Sequence, residues 1–163
     1  MNYFELFGLP QAPAVDKSLL AKKYFELQKA FHPDFFTQAS ETEKEQALEQ
    51  SAAINKAFNI FQSQEKTIEY FLQTTGLIET DEKYSLPPAF LMEMMEINEA
   101  LTEGSEADVI QQVEAYEAEL GEEIRPIIEN YQPSVTAEGS MLKLKEYYYK
   151  KKYLKRILDR LDD

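Results

Sequence analysis

Two amphipathic runs with a single proline-marked gap between them set the strongest limit on how this chain can fold. Leu20, Tyr24, Leu27 and Phe31 recur at helical spacing, and Ala47, Ser51, Ile54, Phe58 and Phe61 do the same further on. Two one-sided helices joined by a modest loop bury their stripes against each other, which makes an antiparallel hairpin. Phe31-His32-Pro33-Asp34 then falls at its tip. Pro33 fixes its own φ and pushes His32 out of helical geometry, so the first helix ends there. As a tripeptide, His-Pro-Asp is only a helix stop with a polar turn; its place at an exposed tip beside a basic helix gives it weight.

The rest of the N-terminal part supports the hairpin. Tyr3, Phe4, Phe7 and Leu9 predict a short first helix ended by Gly8 and Pro10. Asp16 is an N-cap for the second helix, and Ser40-Glu41-Thr42-Glu43 has capping-box spacing for the third. Lys66 to Thr74 reads as a further helix, closed by Gly76 in a left-handed cap. On the second helix Lys22 and Lys29 lie opposite the apolar stripe, with Lys23 on the flank. A solvated face often carries lysines. Beside His32-Pro33-Asp34, the strip reads as a docking face for an acidic protein partner.

Gly76, Asp81, Glu82, Ser85 and Pro87-Pro88 mark a change of character. The expected division is 1–75 for the hairpin domain, 76–88 for a linker and 89–163 for a three-helix bundle. In the first bundle helix, at about 100° per residue, Phe90, Met94, Ile97 and Leu101 form one narrow stripe. Leu91, Met92 and Met95 fall on the other side, among Glu96, Glu99 and Glu103. A neighbouring helix laid over Leu91 and Met95 would explain that pattern. The three glutamates, costly to bury, favour a partner site instead. Val109, Val113, Tyr116, Leu120, Ile124, Ile127 and Tyr131 continue the periodicity, with a kink or break expected near Glu122–Pro126. The last helix is expected from about Ala137 to Leu161, with Leu144, Tyr148, Lys151, Leu154, Leu158 and Leu161 inward and Tyr153 projecting away from Leu144 and Tyr148. No useful strand alternation occurs. The fold class is all-α.

Charge and composition narrow the function. Net charge is −13, and Glu79 to Pro133 holds fifteen carboxylates against Lys83 and Arg125. Such a chain repels phosphate backbones, so nucleic acid is not the expected partner. No apolar run approaches the length of a membrane span, and the start has no basic flank of a targeting segment. Cysteine is absent, which removes disulfides and thiolate metal sites and fits a reducing cytoplasm. One histidine, no phosphate-binding glycine loop and no carboxylate paired with a base leave no basis for an enzyme or a bound cofactor.

The whole chain resembles the HscB family of J-type co-chaperones of iron–sulfur cluster assembly. Four blocks carry the likeness: Asn2-Tyr3-Phe4-Glu5-Leu6-Phe7-Gly8-Leu9-Pro10, Leu27 through Phe35, Ser51-Ala52-Ala53-Ile54-Asn55-Lys56-Ala57-Phe58, and Ala89-Phe90-Leu91-Met92-Glu93 with Glu96, Glu99 and Leu101. The resemblance implies a J-domain, whose His32, Pro33 and Asp34, with Lys22, Lys23 and Lys29, engage an HscA/DnaK-type ATPase chaperone. It also implies a C-terminal bundle in which Leu91, Met92, Met95, Glu96, Glu99, Glu103 and Tyr153 grip an IscU-type scaffold protein. The alternative within the same fold is a general J-protein delivering unfolded clients. Two departures stand out. Phe35 follows the tripeptide where the family often has lysine, and Lys66-Thr67 precedes Tyr70 where it usually shows Arg-Ala.

Overall fold

A five-residue helix is too short to persist alone, so what holds the first one shows how the N-terminal part is built. In the computed structural model, which describes residues 1–161, α1 spans Tyr3–Phe7. Asn2 Oδ1 accepts the Glu5 N–H at 2.9 Å, and Gly8 closes the helix at φ 64°. Its real anchor is apolar: Phe4 and Phe7 are buried with their ring centroids 5.0 and 5.8 Å from that of Phe61. The Tyr70 hydroxyl accepts the Tyr3 N–H at 2.8 Å, and the two rings stack at 5.1 Å.

Helices α2 (Lys17–Phe31) and α3 (Glu41–Gln62) form the hairpin. Asp16 caps α2 by accepting from Ser18 and Leu19 at 2.8 and 3.0 Å, and Ser40 Oγ caps α3 through Glu43 at 3.2 Å. Lys17, at the start of α2, donates to the carbonyls of Phe61 and Gln62 at the end of α3, both at 2.7 Å. This fixes the antiparallel sense and places a cation on the negative end of the α3 dipole. Tyr24 stacks on Phe58 at 3.9 Å and donates to Asn55 Oδ1, which also accepts from Gln28. Ser63 ends α3 and caps α4 (Gln64–Thr74), two residues earlier than the apolar pattern indicated. The one buried hydroxyl near that corner, on Thr67, bonds to the carbonyls of Ser63 and Ile60 at 2.7 and 3.2 Å.

The chain divides into two compact units, residues 1–75 and 76–163. In the second, α5 (Pro88–Thr102), α6 (Glu106–Glu129) and α7 (Glu138–Leu161) enclose Phe90, Met94, Ile97, Val109, Val113, Leu120, Leu154 and Ile157. Among the described residues the regular structure is entirely helical, as expected of an all-α chain. Two expectations need correction. Helix α6 is unbroken through Pro126. That proline lies in the last turn, so it removes a single backbone bond, the one to Glu122. Asn130 then closes the end by donating both its N–H and its Nδ2 to the Pro126 carbonyl. On α7, Ile157 was missing from the expected inward side yet is fully buried. The stripe runs through Leu154 and Ile157, while Leu158 and Leu161 sit half-buried at its edge.

Residues 76–88 carry more than chain connection. Ile78 is buried, and Asp81 takes a left-handed φ of 61°, which aspartate tolerates. That turn aims Glu82 at α7, where its carboxylate meets Lys145 at 2.6 Å and the Tyr149 hydroxyl at 3.1 Å. Tyr84 stacks on Tyr149 at 4.3 Å, nearly parallel. The Lys145 hydrogen bond holds the Glu82 carboxyl below its ordinary value, with lesser help from the Glu79 N–H and the Tyr149 hydroxyl against the opposing effect of burial. Burial and the Glu82 contact together push the Tyr149 phenol up to about 12.

Two outcomes follow from this packing. Phe61→Ala should destabilise the N-terminal unit by about 3–5 kcal/mol, whereas the exposed Phe25→Ala should change it by about 0.5 kcal/mol or less, both read by urea unfolding. For the second unit, a depressed carboxyl stabilises above its unfolded pKa and loses that stabilisation as pH falls through the folded value. Amides of residues 79–84 should therefore stay protected at pH 4.5, the ordinary carboxylate value, and lose protection only below it. Glu82→Gln should abolish that acid step and bring the Tyr149 ionisation partway back toward 10.0, followed by NMR and spectrophotometric titration.

Candidate functional site

Each unit presents one surface that its own packing does not explain. On the first, α2 stops at Phe31 and His32 leaves the helix with ψ 131°, its N–H still bonded to the Gln28 carbonyl at 2.9 Å. Pro33 opens a single 3-10 turn, Pro33–Phe36. His32 Nδ1 accepts the Asp34 N–H at 3.2 Å, which places the imidazole proton on Nε2 in the neutral ring. The Asp34 carboxylate lies 3.6 Å from the same nitrogen, with 85% of that side chain exposed against 45% for His32. Phe35 turns its ring edge-on to the imidazole at 6.1 Å and is itself 67% exposed. The tripeptide is thus a locally ordered turn that offers an N–H donor and a carboxylate to solvent.

The three candidate lysines on α2, Lys22, Lys23 and Lys29, do not form one group. Lys22 and Lys29 are exposed, whereas Lys23 is half-buried with its stem running toward Gly8. Beside the exposed pair lies an aromatic that the sequence reading passed over. Phe25 is 61% exposed, and the Lys29 ammonium sits 4.5 Å from its ring centre. Its signal was available: at about 100° per residue, Phe25 falls on the same polar face as Lys22 and Lys29.

On the second unit, α5 is apolar on two sides. Phe90, Met94 and Ile97 are buried, while Leu91, Met92 and Met95 are 38%, 67% and 62% exposed. The covering helix that would have accounted for Leu91 and Met95 is therefore absent. Glu96, Glu99 and Glu103 are exposed alongside them. The α5 start has Pro87 at the N-cap and Pro88 in the first turn, with no side-chain cap. Position there is set by Phe90, which meets Tyr116 edge-on at 5.6 Å and Tyr153 at 5.8 Å, with the Lys150 ammonium 5.4 Å from the ring centre. Tyr153 is thus half-buried against the base of the strip rather than fully projecting from it. Among the described residues no group of three or more His, Cys, Asp or Glu side chains is placed to hold a metal, and no helix is long and apolar enough to cross a membrane.

Comparison with known proteins places both surfaces in context. The family model for the HSCB C-terminal oligomerisation domain matches residues 86–162. The co-chaperone protein HscB homologue of Vibrio vulnificus is 44% identical over 112 residues, covering 66% of this chain and 66% of that protein. The Vibrio cholerae homologue is 45% identical over 102 residues, covering 62% and 60%. These alignments span slightly less than two thirds of the relatives' own length. The homologue of Shewanella halifaxensis is 34% identical over 170 residues, covering 99% of this chain and 95% of its own. Among solved structures, the human co-chaperone protein HscB superposes with a TM-score of 0.79 at 30% identity, covering 99% of this chain and 81% of that one. The chaperone HscB of Vibrio cholerae superposes at 0.61 with 32% identity, covering 99% of both. Identity of this order across nearly the full length shows that the chain belongs to the HscB co-chaperone family.

Proposed function

We propose that this protein is a two-headed co-chaperone adaptor of iron–sulfur cluster assembly in the cytoplasm. The N-terminal unit, residues 1–75, stimulates the ATPase of an HscA/DnaK-type chaperone. The C-terminal unit, taken as the bundle 89–163 and its preceding segment, presents an IscU-type scaffold protein. The observation that carries this reading is the doubly apolar α5. A helix with Met94 wholly buried and Met92 67% exposed about half a turn away keeps large apolar groups in water. A partner surface gives that arrangement a reason.

On the chaperone side, His32, Pro33 and Asp34 act by recognition and do no chemistry of their own. The turn offers the Nε2–H of His32 and the Asp34 carboxylate within one rigid loop, and Lys22 and Lys29 supply positive charge for an acidic face. Lys23, drawn toward Gly8, contributes less directly. Stimulation requires that these contacts favour the hydrolysing state of the chaperone over its resting state, since a contact equal in both shifts nothing.

On the scaffold side, burying Leu91, Met92 and Met95 at roughly 1.5–3 kcal/mol each supplies much of the roughly −8 kcal/mol of a micromolar complex, after association costs. Glu96, Glu99 and Glu103 then steer the encounter and select a basic partner more than they add affinity. The two methionines also favour a second reading, a general J-protein for unfolded clients, because thioether side chains adapt to many surfaces.

Calorimetric titration with the cognate scaffold separates the two. Micromolar binding is expected for the wild type and at least a roughly tenfold loss when Leu91, Met92 and Met95 are all changed to Ala with helicity kept. Equal binding of arbitrary unfolded peptides with no preference for the scaffold would favour the general co-chaperone. In a single-turnover ATPase assay, His32→Gln and Asp34→Asn should each cut stimulation of the chaperone by about tenfold or more without lowering the unfolding midpoint. Full stimulation by both variants would refute the assignment of the turn.

A further inference from the structure

We infer that Lys150 is a positioning residue for the apolar strip on α5, holding Leu91 and Met92 outward through Phe90. The inference rests on the scaffold-binding reading above and names the device that sets the strip's geometry.

The need for such a device comes from the way α5 begins. Its N-cap is Pro87, which has no side-chain hydrogen bond to offer, so the first turn lacks the usual polar tie. Leu91 closes that turn and Met92 opens the next, directly after Phe90. Whatever fixes Phe90 therefore fixes the direction in which the next two side chains point.

Phe90 is held by three groups of different kinds. Tyr116 from α6 and Tyr153 from α7 each meet it edge-on, at 5.6 and 5.8 Å. The Lys150 ammonium lies over the ring at 5.4 Å. An edge contact tolerates sliding along the ring, whereas a cation over the face is centred by the ring quadrupole. Of the three, Lys150 is the one that brings a full charge to the ring.

A lysine is costly in this position and has been secured there. Its side chain is only 14% exposed, unlike the solvent-facing Lys152 and Lys155 of the same helix. Burial pulls its pKa down, but the Glu146 hydrogen bond and the carboxylates around it more than reverse that, so the group stays above its usual value and charged. Glu146 holds the ammonium at 2.9 Å from one helical turn away. A cavity of about 250 Å³ between α6 and α7 reaches Lys150, with Glu123 and Glu146 among its walls. Packing alone does not wedge the lysine over the ring; the Glu146 ion pair does. A core leucine or methionine would have filled the space more cheaply, and the charge is explained by what it does to Phe90.

The full-length chain has five methionines, so ¹³C-labelled methyl signals report the strip without any partner. Met1, in the other unit, serves as the control. In Lys150→Met the Met92 and Met95 signals should shift or broaden while Met1 stays in place, and Lys150→Arg should restore them. Glu146→Gln, which keeps the lysine stem, should move the same two signals in the same direction and stands in if Lys150→Met does not fold. Scaffold affinity by calorimetry should fall about threefold to tenfold in Lys150→Met and Glu146→Gln, and return in Lys150→Arg. Unchanged affinity in Lys150→Met or Glu146→Gln overturns the inference, and so do unmoved Met92 and Met95 signals. A wild type that does not bind the scaffold defeats the proposed function instead, and the methyl signals alone then decide whether Lys150 sets the strip.

Discussion

The bundle closes an apolar core by packing two acidic helices with one basic helix. Helices α5 and α6 together carry eleven carboxylates and a single arginine. Packed side by side in water they would repel along their whole length. Helix α7 brings eight of the chain's seventeen basic residues. It spends them unevenly: Lys151 on Glu117, Lys145 on Glu82, and Lys150 on Glu146 and the face of Phe90. Each of these pairs is at least partly shielded from solvent, where a pairing is felt more strongly than at an open surface. The glutamates Glu96, Glu99 and Glu103 take no part in these pairs and stay exposed.

The N-terminal unit solves a different problem. Its hairpin helices run to a polar tip that has to be ordered largely at the surface. Order there comes from backbone-level devices: a proline that ends α2, an imidazole that accepts from the backbone two residues on, and a 3-10 turn that carries the chain toward Ser40. At the opposite end of the hairpin, aromatic rings gathered on Phe61 tie α1, α3 and α4 together. The ring cluster and the His32-Pro33-Asp34 tip are thus far apart along α2 and α3, and substitution at the tip should leave the ring cluster intact.

Much of this was legible in the residues because it depends on period and punctuation. The stripe through Leu20 and Phe31, the caps at Asp16 and Ser40, and the inward set Phe90, Met94 and Ile97 all follow from local rules. The exposed set Leu91, Met92 and Met95 was readable as the complement of that stripe. What escaped depends on contacts between distant segments. Pro126 signals a break, but its cost is small once it sits in a final turn that Asn130 can close. Ile157 was lost by centring the α7 stripe a little too far round. Lys23 reads like its neighbours until α1 is seen beside it, and Phe25 reads like a misplaced aromatic until Lys29 is seen over its ring. Tyr153 looked outward by helical angle alone, because nothing in its own helix reveals that Phe90 lies alongside.

The segment between Gly76 and Pro88 has a practical meaning for anyone dissecting the molecule. By composition it is the natural place to cut, and a fragment starting at Ala89 would look complete because it keeps all three long helices. Such a fragment would lack Ile78, would leave Lys145 without its carboxylate, and would strip the Tyr84 ring from Tyr149. Its α7 would present to water an aromatic and a cation that the intact chain covers, inviting self-association unrelated to any natural assembly. A cut between Thr75 and Gly76 keeps those partners together and follows the division between the two compact units.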